Sequence, residues 1–213
     1  MMVSVCPHCQ HRLRGVLPRR IPECWDAGPF IDEVERLPVD ESKAKIVIHQ
    51  AARLLWLADR IDEVARGRPA LLVMFYLIAA EAVAKIVFGF AGQGQSRKYV
   101  RRFFQDICSE QHRARLGRAF CASSEGYLDV LEVVDLLYKV RCDVVHEGQY
   151  FNFMLPDRAG MEGLLIGQDE GQEDDTLEAR ITARELRQIV LEGCLLGAAR
   201  ILPLNSPVRT LIC

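Results

Sequence analysis

The chain has 213 residues, half of them hydrophobic, with 27 basic and 29 acidic side chains and a formal net charge of −2. The length fits one domain, or one domain with a small appendage, and the apolar share excludes a chain too polar to build a core. The near-neutral charge excludes a globally basic nucleic-acid binder, so contact with a polyanion has to come from local patches.

Residues 1–40 read as an irregular N-terminal arm, because prolines, basic clusters and three of the eight cysteines interrupt any helical period. Within it, "CPHCQH" places Cys6 and Cys9 at the Cys-x2-Cys spacing of a zinc knuckle. A tetrahedral site needs four ligands; Cys24 supplies a third and His11, or His8, a fourth. Such a structural zinc would order an arm too short to build its own core. The alternatives are a metal-free arm or an exposed thiol pair. The opening "MMVSVCPHCQ" has no apolar leader, so a cytoplasmic, reduced protein is expected, its remaining cysteines serving mostly as small core residues.

Residues 41–213 read as one helical domain. The stretch 42–66 carries apolar residues at amphipathic spacing, and Gly67 with Pro69 separates it from the next helix. That next stretch, 70–90, is apolar except for Glu81 and Lys85. A membrane span would set both charges near the bilayer centre, at roughly 2.5–3.5 kcal/mol each, so a central bundle helix is the better expectation. "AGQGQS" is a turn, and 96–108, "SRKYVRRFFQDIC", a short basic and aromatic helix. Residues 112–122 read as a further short helical turn, and 126–147 as a long helix stopped by Gly148. "YFNFML" and "GLLI" read as short strands, a small hairpin before the last helix, with the acidic loop "GQDEGQEDD" after them. Thr182 and Glu185 form a capping-box signature that opens the last helix, which Pro203 ends near Leu202. The expected fold is all-α, four or five helices in a bundle.

The chemistry concentrates in "LYKVRCDVVHEG", residues 137–148. On a helix turning about 100° per residue, Arg141 falls within the stripe of Val130, Val134, Leu137 and Val144, whereas His146 points roughly 140° away. A guanidinium on an apolar face has to meet a carboxylate, a bound anion or a second subunit. Glu81, the one acid of the apolar second helix, is the candidate carboxylate. A core ion pair between Glu81 and Arg141 is therefore one reading of the arginine.

The segment resembles the Arg-x4–6-His motif of the HEPN superfamily, with Glu81 similar to the acidic residue that many members carry on an earlier core helix. "SRKYVRRFF" resembles the basic-aromatic segment of the abortive-infection (ApeA-like) group. The resemblance spans roughly residues 45–202 and implies a helical bundle that dimerises, so that two Arg–His pairs form one composite site. It implies a metal-independent endoribonuclease of prokaryotic defence or toxin type, needing no cofactor for catalysis. Arg141 would hold the scissile phosphate, His146 would move a proton in attack by the RNA 2′-OH, and Glu81 would orient Arg141. RNA, a second copy and an antitoxin or companion defence protein are the implied partners; no membrane is. The sequence departs from the family at one position: after the arginine, active members usually carry Asn, Asp or His, and here Cys142 stands there, with Asp143 and Glu147 as neighbouring polar helpers. The alternative is a non-catalytic HEPN-like module that binds RNA, a nucleotide or a protein.

Two basic runs complete the reading. "HRLRGVLPRR" contributes Arg12, Arg14, Arg19 and Arg20. Arg97, Lys98, Arg101 and Arg102 are candidate RNA-binding residues, since cations track phosphates and the interleaved aromatics either stack on unpaired bases or face the core.

Overall fold

A computed structural model describes residues 27–37, 42–122, 126–150, 153–157, 163–166 and 176–202. Two long helices form its centre. Helix α2, Lys43–Val64, starts where the Ser42 hydroxyl accepts the Lys45 N–H at 3.2 Å. Helix α3, Pro69–Phe88, starts on a proline whose missing N–H is no loss at the first helical position. By length and composition α3 could cross a membrane. In the fold it is the central helix, packed against α2 and against three helices described below. Leu72, Val73, Leu77, Ala80, Val83 and Ala84 are buried along it.

Helix α4, Ser96–Arg102, runs directly into a π-helical turn, Phe103–Ile107, in which the Cys108 N–H reaches back to the Phe103 carbonyl. Helix α5, Glu110–Leu116, follows, and then strand β1, Phe120–Ala122, and strand β2, Gly126–Tyr127. The expected helical turn over 112–122 is thus half helix and half strand. Helix α6, Val130–Cys142, opens on a capping box between Asp129 and Glu132, and it too ends in a π-helical turn, Asp143–Glu147. Strands β3, Gly163–Ile166, and β4, Thr176–Ala179, lead to helix α7, Ala183–Ile201. Thr182 caps α7 with Glu185 in the expected box, Oε2 of Glu185 taking the Thr182 N–H at 2.8 Å.

The mostly helical bundle carries a small antiparallel sheet in the order β2-β1-β4-β3. One half is the hairpin of β3 with β4, in the register Leu164 opposite Glu178; of the two strands expected there, "GLLI" is β3, while the described part of "YFNFML" forms no strand and β4 had no counterpart in the sequence reading. The other half lies within segments read from sequence as helix. Strands of two and three residues are too short to print a period of two.

The expectation for residues 1–40 needs a correction. Ala27–Arg36 is a helix, α1, and its Ala27, Phe30, Ile31 and Val34 belong to the same core as α2 and α3. Pro29 obscured it, yet proline is harmless in a first turn, and Phe30, Ile31 and Val34 lie at helical spacing. Lys45 of α2 secures the end of α1 by donating to the carbonyls of Glu35 and Leu37 at 2.7 and 3.2 Å. The rest of the arm, with Cys6, Cys9, His11 and Cys24, lies outside the described residues.

α7 approaches its neighbours closely through glycine. A Cβ on Gly193 would sit 2.5 Å from the Phe103 ring and 2.9 Å from the Cys108 sulfur; one on Gly197 would sit 2.6 Å from Val83. Phe103 and Val83 are fully buried and have no room to retreat. Gly193→Ala is therefore expected to destabilise the fold by about 1–3 kcal/mol despite the gain in helix propensity, and Gly197→Ala by a similar amount. Denaturant unfolding of the two variants checks this; an unchanged midpoint would mean that α7 lies farther out than described.

Candidate functional site

The site forms where α3, α4 and α6 meet. Glu81, one turn before Lys85 on α3, is buried, its side chain 9 % exposed. Its Oε1 accepts from Lys85 Nζ at 2.5 Å and from the Ser96 hydroxyl at the start of α4 at 2.7 Å. Its Oε2 faces Arg141 of α6, whose terminal nitrogen lies 3.4 Å away. The Arg141 side chain is 17 % exposed, and its Nε is buried with no hydrogen-bond partner among the described residues. The guanidinium carbon lies 5.3 Å from the centre of the Tyr138 ring, one turn earlier.

Glu81 and Arg141, paired from sequence because Glu81 is the one acid of an apolar helix and Arg141 the cation on an apolar face, therefore do meet. Their contact is the longest and weakest of the three that Glu81 makes. A contact at 3.4 Å lies outside the usual N–H···O range, whereas those from Lys85 and Ser96 lie within the range for strong charge-assisted bonds.

His146 lies in the π-turn at the end of α6 and is exposed. Each residue of a π-turn rotates the chain by less than an α-residue does, because the ring closes at i+5 rather than i+4. The turn thus narrows the roughly 140° that an α-helix would set between Arg141 and His146. Gly148, left-handed at φ 66°, closes it, with its own N–H and that of Gln149 both on the Asp143 carbonyl. Nothing in the residue types of "DVVHE" announces a π-turn.

Cys142 carries a free, half-buried thiol. Tyr138 is its neighbour: burial pushes the phenol pKa up, Cys142 adds to the rise, and Arg141 opposes it. The Asp143 carboxyl is also raised, first by burial and then by Glu147, with Lys139 opposing.

A second charged cluster adjoins the first on α4 and α6. Asp135 of α6 accepts from Arg97 at 2.8 and 2.6 Å and from Arg101 at 2.7 Å, with a further contact between Arg101 Nη2 and Asp135 Oδ2. Both guanidiniums grip one carboxylate in two-pronged fashion. Arg102 pairs with Asp106 and lies 3.4 Å over the Phe88 ring, while Lys98 is exposed. Arg97, Lys98, Arg101 and Arg102 line one open cleft of about 470 Å³. The aromatics of the same segment, Tyr99, Phe103 and Phe104, are buried, which removes them from base stacking. Among the described residues no three His, Cys, Asp or Glu side chains gather to hold a metal ion.

Sequence reasoning missed Lys85, Ser96, Tyr138 and Asp135 as parts of these clusters. Lys85 was the findable one, since Glu at i and Lys at i+4 on a helix is a standard pair. His112, given no role from sequence, joins α5 to α7 through Glu192 at 2.5 Å.

No family model, curated protein or solved structure matches this chain.

Two outcomes are expected of variants. Glu81→Ala strands Arg141 and Lys85 together and should destabilise by about 3 kcal/mol, whereas Arg141→Ala leaves Glu81 with Lys85 and Ser96 and should cost only about 1–2 kcal/mol. Chemical denaturation orders the two, and the reverse order would make Arg141 the counter-ion that Glu81 depends on. The second concerns pH. The hydrogen bonds from Arg97 and Arg101 hold the Asp135 carboxyl well below the usual carboxylate range, against a smaller effect of burial. A depressed carboxyl stabilises the fold fully above the unfolded-state pKa of about 3.9, and that stability is lost as pH falls toward the folded value. The melting temperature of wild type should exceed that of Asp135→Asn by a constant margin above pH 5, and the margin should close below about pH 4. A margin independent of pH would remove the ion pairs as its cause.

Proposed function

We propose that the chain is a HEPN-like endoribonuclease of prokaryotic defence or toxin type. In this reading Arg141 and His146 are its catalytic residues and Glu81 positions Arg141. One observation carries it. Glu81 has its closest contacts with Lys85 and Ser96, at 2.5 and 2.7 Å, so it does not require Arg141, which stands 3.4 Å off with a buried, unpartnered Nε. A guanidinium that Glu81 holds only loosely, with part of its side chain exposed, supports a role in taking an anionic ligand over a core ion pair alone.

The chemistry follows from the residue types. Arg141 holds two oxygens of the scissile phosphate in its planar fork and stabilises the charge that develops there. His146, exposed at the helix end, takes the proton from the RNA 2′-OH as that oxygen attacks phosphorus. The bond from phosphorus to the 5′-oxygen breaks, that oxygen takes up a proton, and a 2′,3′-cyclic phosphate remains. In a dimer the second copy's histidine supplies that proton. Val145, 48 % exposed beside His146, is an apolar residue that a facing copy would cover. Positioning, proton transfer and charge stabilisation suffice for this step without a catalytic metal.

Cys142 favours a second reading. It stands where active members of the family carry Asn, Asp or His, and its thiol lies by Tyr138. A thiol is a weak hydrogen-bonding group, which suits a non-catalytic module that binds RNA, a nucleotide or a protein through the same face.

The test is incubation of the purified protein with a structured RNA pool in EDTA, repeated with zinc and no chelator, wild type beside His146→Ala. The expected result is cleavage leaving cyclic-phosphate ends, reduced about 10²–10⁴-fold in the variant. Stability should change by no more than about 0.5 kcal/mol, because His146 is exposed. Cleavage that persists in His146→Ala overturns the assignment; retention of RNA by wild type without cleavage selects the binding module.

A further inference from the structure

We propose that the α4 cleft is a track for the phosphodiester backbone of single-stranded nucleic acid, and that Asp135 is a built-in competitor occupying the phosphate position between Arg97 and Arg101. The choice of RNA as probe rests on the function proposed above; the binding claim does not require cleavage.

The geometry supports each part. Arg97, Lys98, Arg101 and Arg102 stand at positions i, i+1, i+4 and i+5 and line one concave cleft of about 470 Å³, with Gln95 and Gln105 at its edges. These cations span about one and a half helical turns, about 7.5 Å along the axis, enough to face adjacent phosphates of an extended strand. Asp135, which reaches the two arginines from α6 and is not itself one of the residues lining the cleft, offers two oxygens to two guanidinium forks, the arrangement in which arginine also takes a phosphate. A carboxylate held this way keeps both forks in place and cancels one of their two charges. A single weak anion gains little by entering, whereas a polyanion that also engages Lys98 and Arg102 gains enough to displace it.

The buried aromatics decide what is read. Tyr99, at 3 % exposure, donates its hydroxyl to the Gly89 carbonyl, and Phe103 and Phe104 pack against each other in the core. The segment therefore offers charges and amides and no stacking platform. Phosphate contacts hold a strand without specifying its sequence. An anionic membrane surface is the less favoured partner, because the cations line a concavity and the aromatics that would anchor a lipid interface face inward.

The experiment uses the full chain in a His146→Ala background, so that RNA stays intact, and measures fluorescence anisotropy with 15-mers of rA, rU and rC across a salt series. Circular dichroism confirms the fold of each variant. Expected are equal affinities for the three homopolymers within about three-fold and a steep loss of affinity with salt. Asp135→Asn should bind about three- to ten-fold more tightly, because one negative charge leaves the track. Lys98→Gln, at an exposed position, should weaken binding about three-fold and flatten the salt slope by about one contact. Folded Asp135→Asn with unchanged or weaker binding would make Asp135 a structural clamp only and overturn the competitor. Unchanged binding by Lys98→Gln, a ten-fold preference among homopolymers, or tighter binding to phosphatidylserine vesicles than to RNA would overturn the track. Loss of cleavage in wild type with this pattern intact would fail the ribonuclease reading alone.

Discussion

The arrangement of α3, α4 and α6 depends on one buried carboxylate. An ionised Glu81 in the most apolar helix of the chain is tolerable only with partners, and three helices supply them: Lys85 from α3 itself, Ser96 from the start of α4, Arg141 from α6. Apolar packing is non-directional, whereas a carboxylate with directed bonds adds a specific constraint on the register of the three helices. Lys85 reinforces the junction by lying 5.6 and 5.8 Å from the rings of Phe90 and Tyr99, and the Tyr99 hydroxyl takes the Ala91 N–H while donating to the Gly89 carbonyl. The chain between α3 and α4 is thereby tied to the cluster it connects.

Both α4 and α6 end in a π-helical turn, and the two turns serve different ends. At Phe103–Ile107 the unwinding sets Phe103, Phe104 and Ile107 into the core under α7, where Gly193 makes room for the Phe103 ring. At Asp143–Glu147 no side chain is buried, and the unwinding turns an exposed histidine back toward the arginine's side of the helix. The first is a packing solution. The second packs only Val144 partly against the core and leaves His146 and Glu147 exposed, and single π-turns recur at functional sites.

Much of the bundle was legible because its helices are long, periodic and capped by residues with clear mechanisms: Ser42, Pro69, Gly148, and Thr182 with Glu185. The pairing of Glu81 with Arg141 was legible for a different reason, that each is the charged exception on an apolar face. What escaped was non-local or short. Strands β1 and β2 carry too few residues for a period, and the pairing of β1 with β4 spans more than 50 residues. Helix α1 was hidden by its proline and by cysteine-rich surroundings. Asp135 looked like one more polar residue on a solvated face; only the packing of α4 on α6 makes it the acceptor for two arginines. The aromatics of "RKYVRRFF" were ambiguous because a two-turn helix gives cationic and aromatic residues the same spacing whether it faces solvent or core.

The two clusters share a charge pattern that the whole-chain total conceals. Glu81 is faced by two cations, Lys85 and Arg141, and Asp135 by two more, Arg97 and Arg101. Within each cluster two cations face one carboxylate, while Asp106, Asp129, Asp143 and Glu147 add acidic charge on the same elements. At Asp135 solvent reaches and screens the two arginines, whereas at Glu81 a second, largely buried cation raises the desolvation penalty. The second cation at Glu81 is thus unfavourable for folding in isolation, and the anionic ligand proposed for Arg141 is what would offset it.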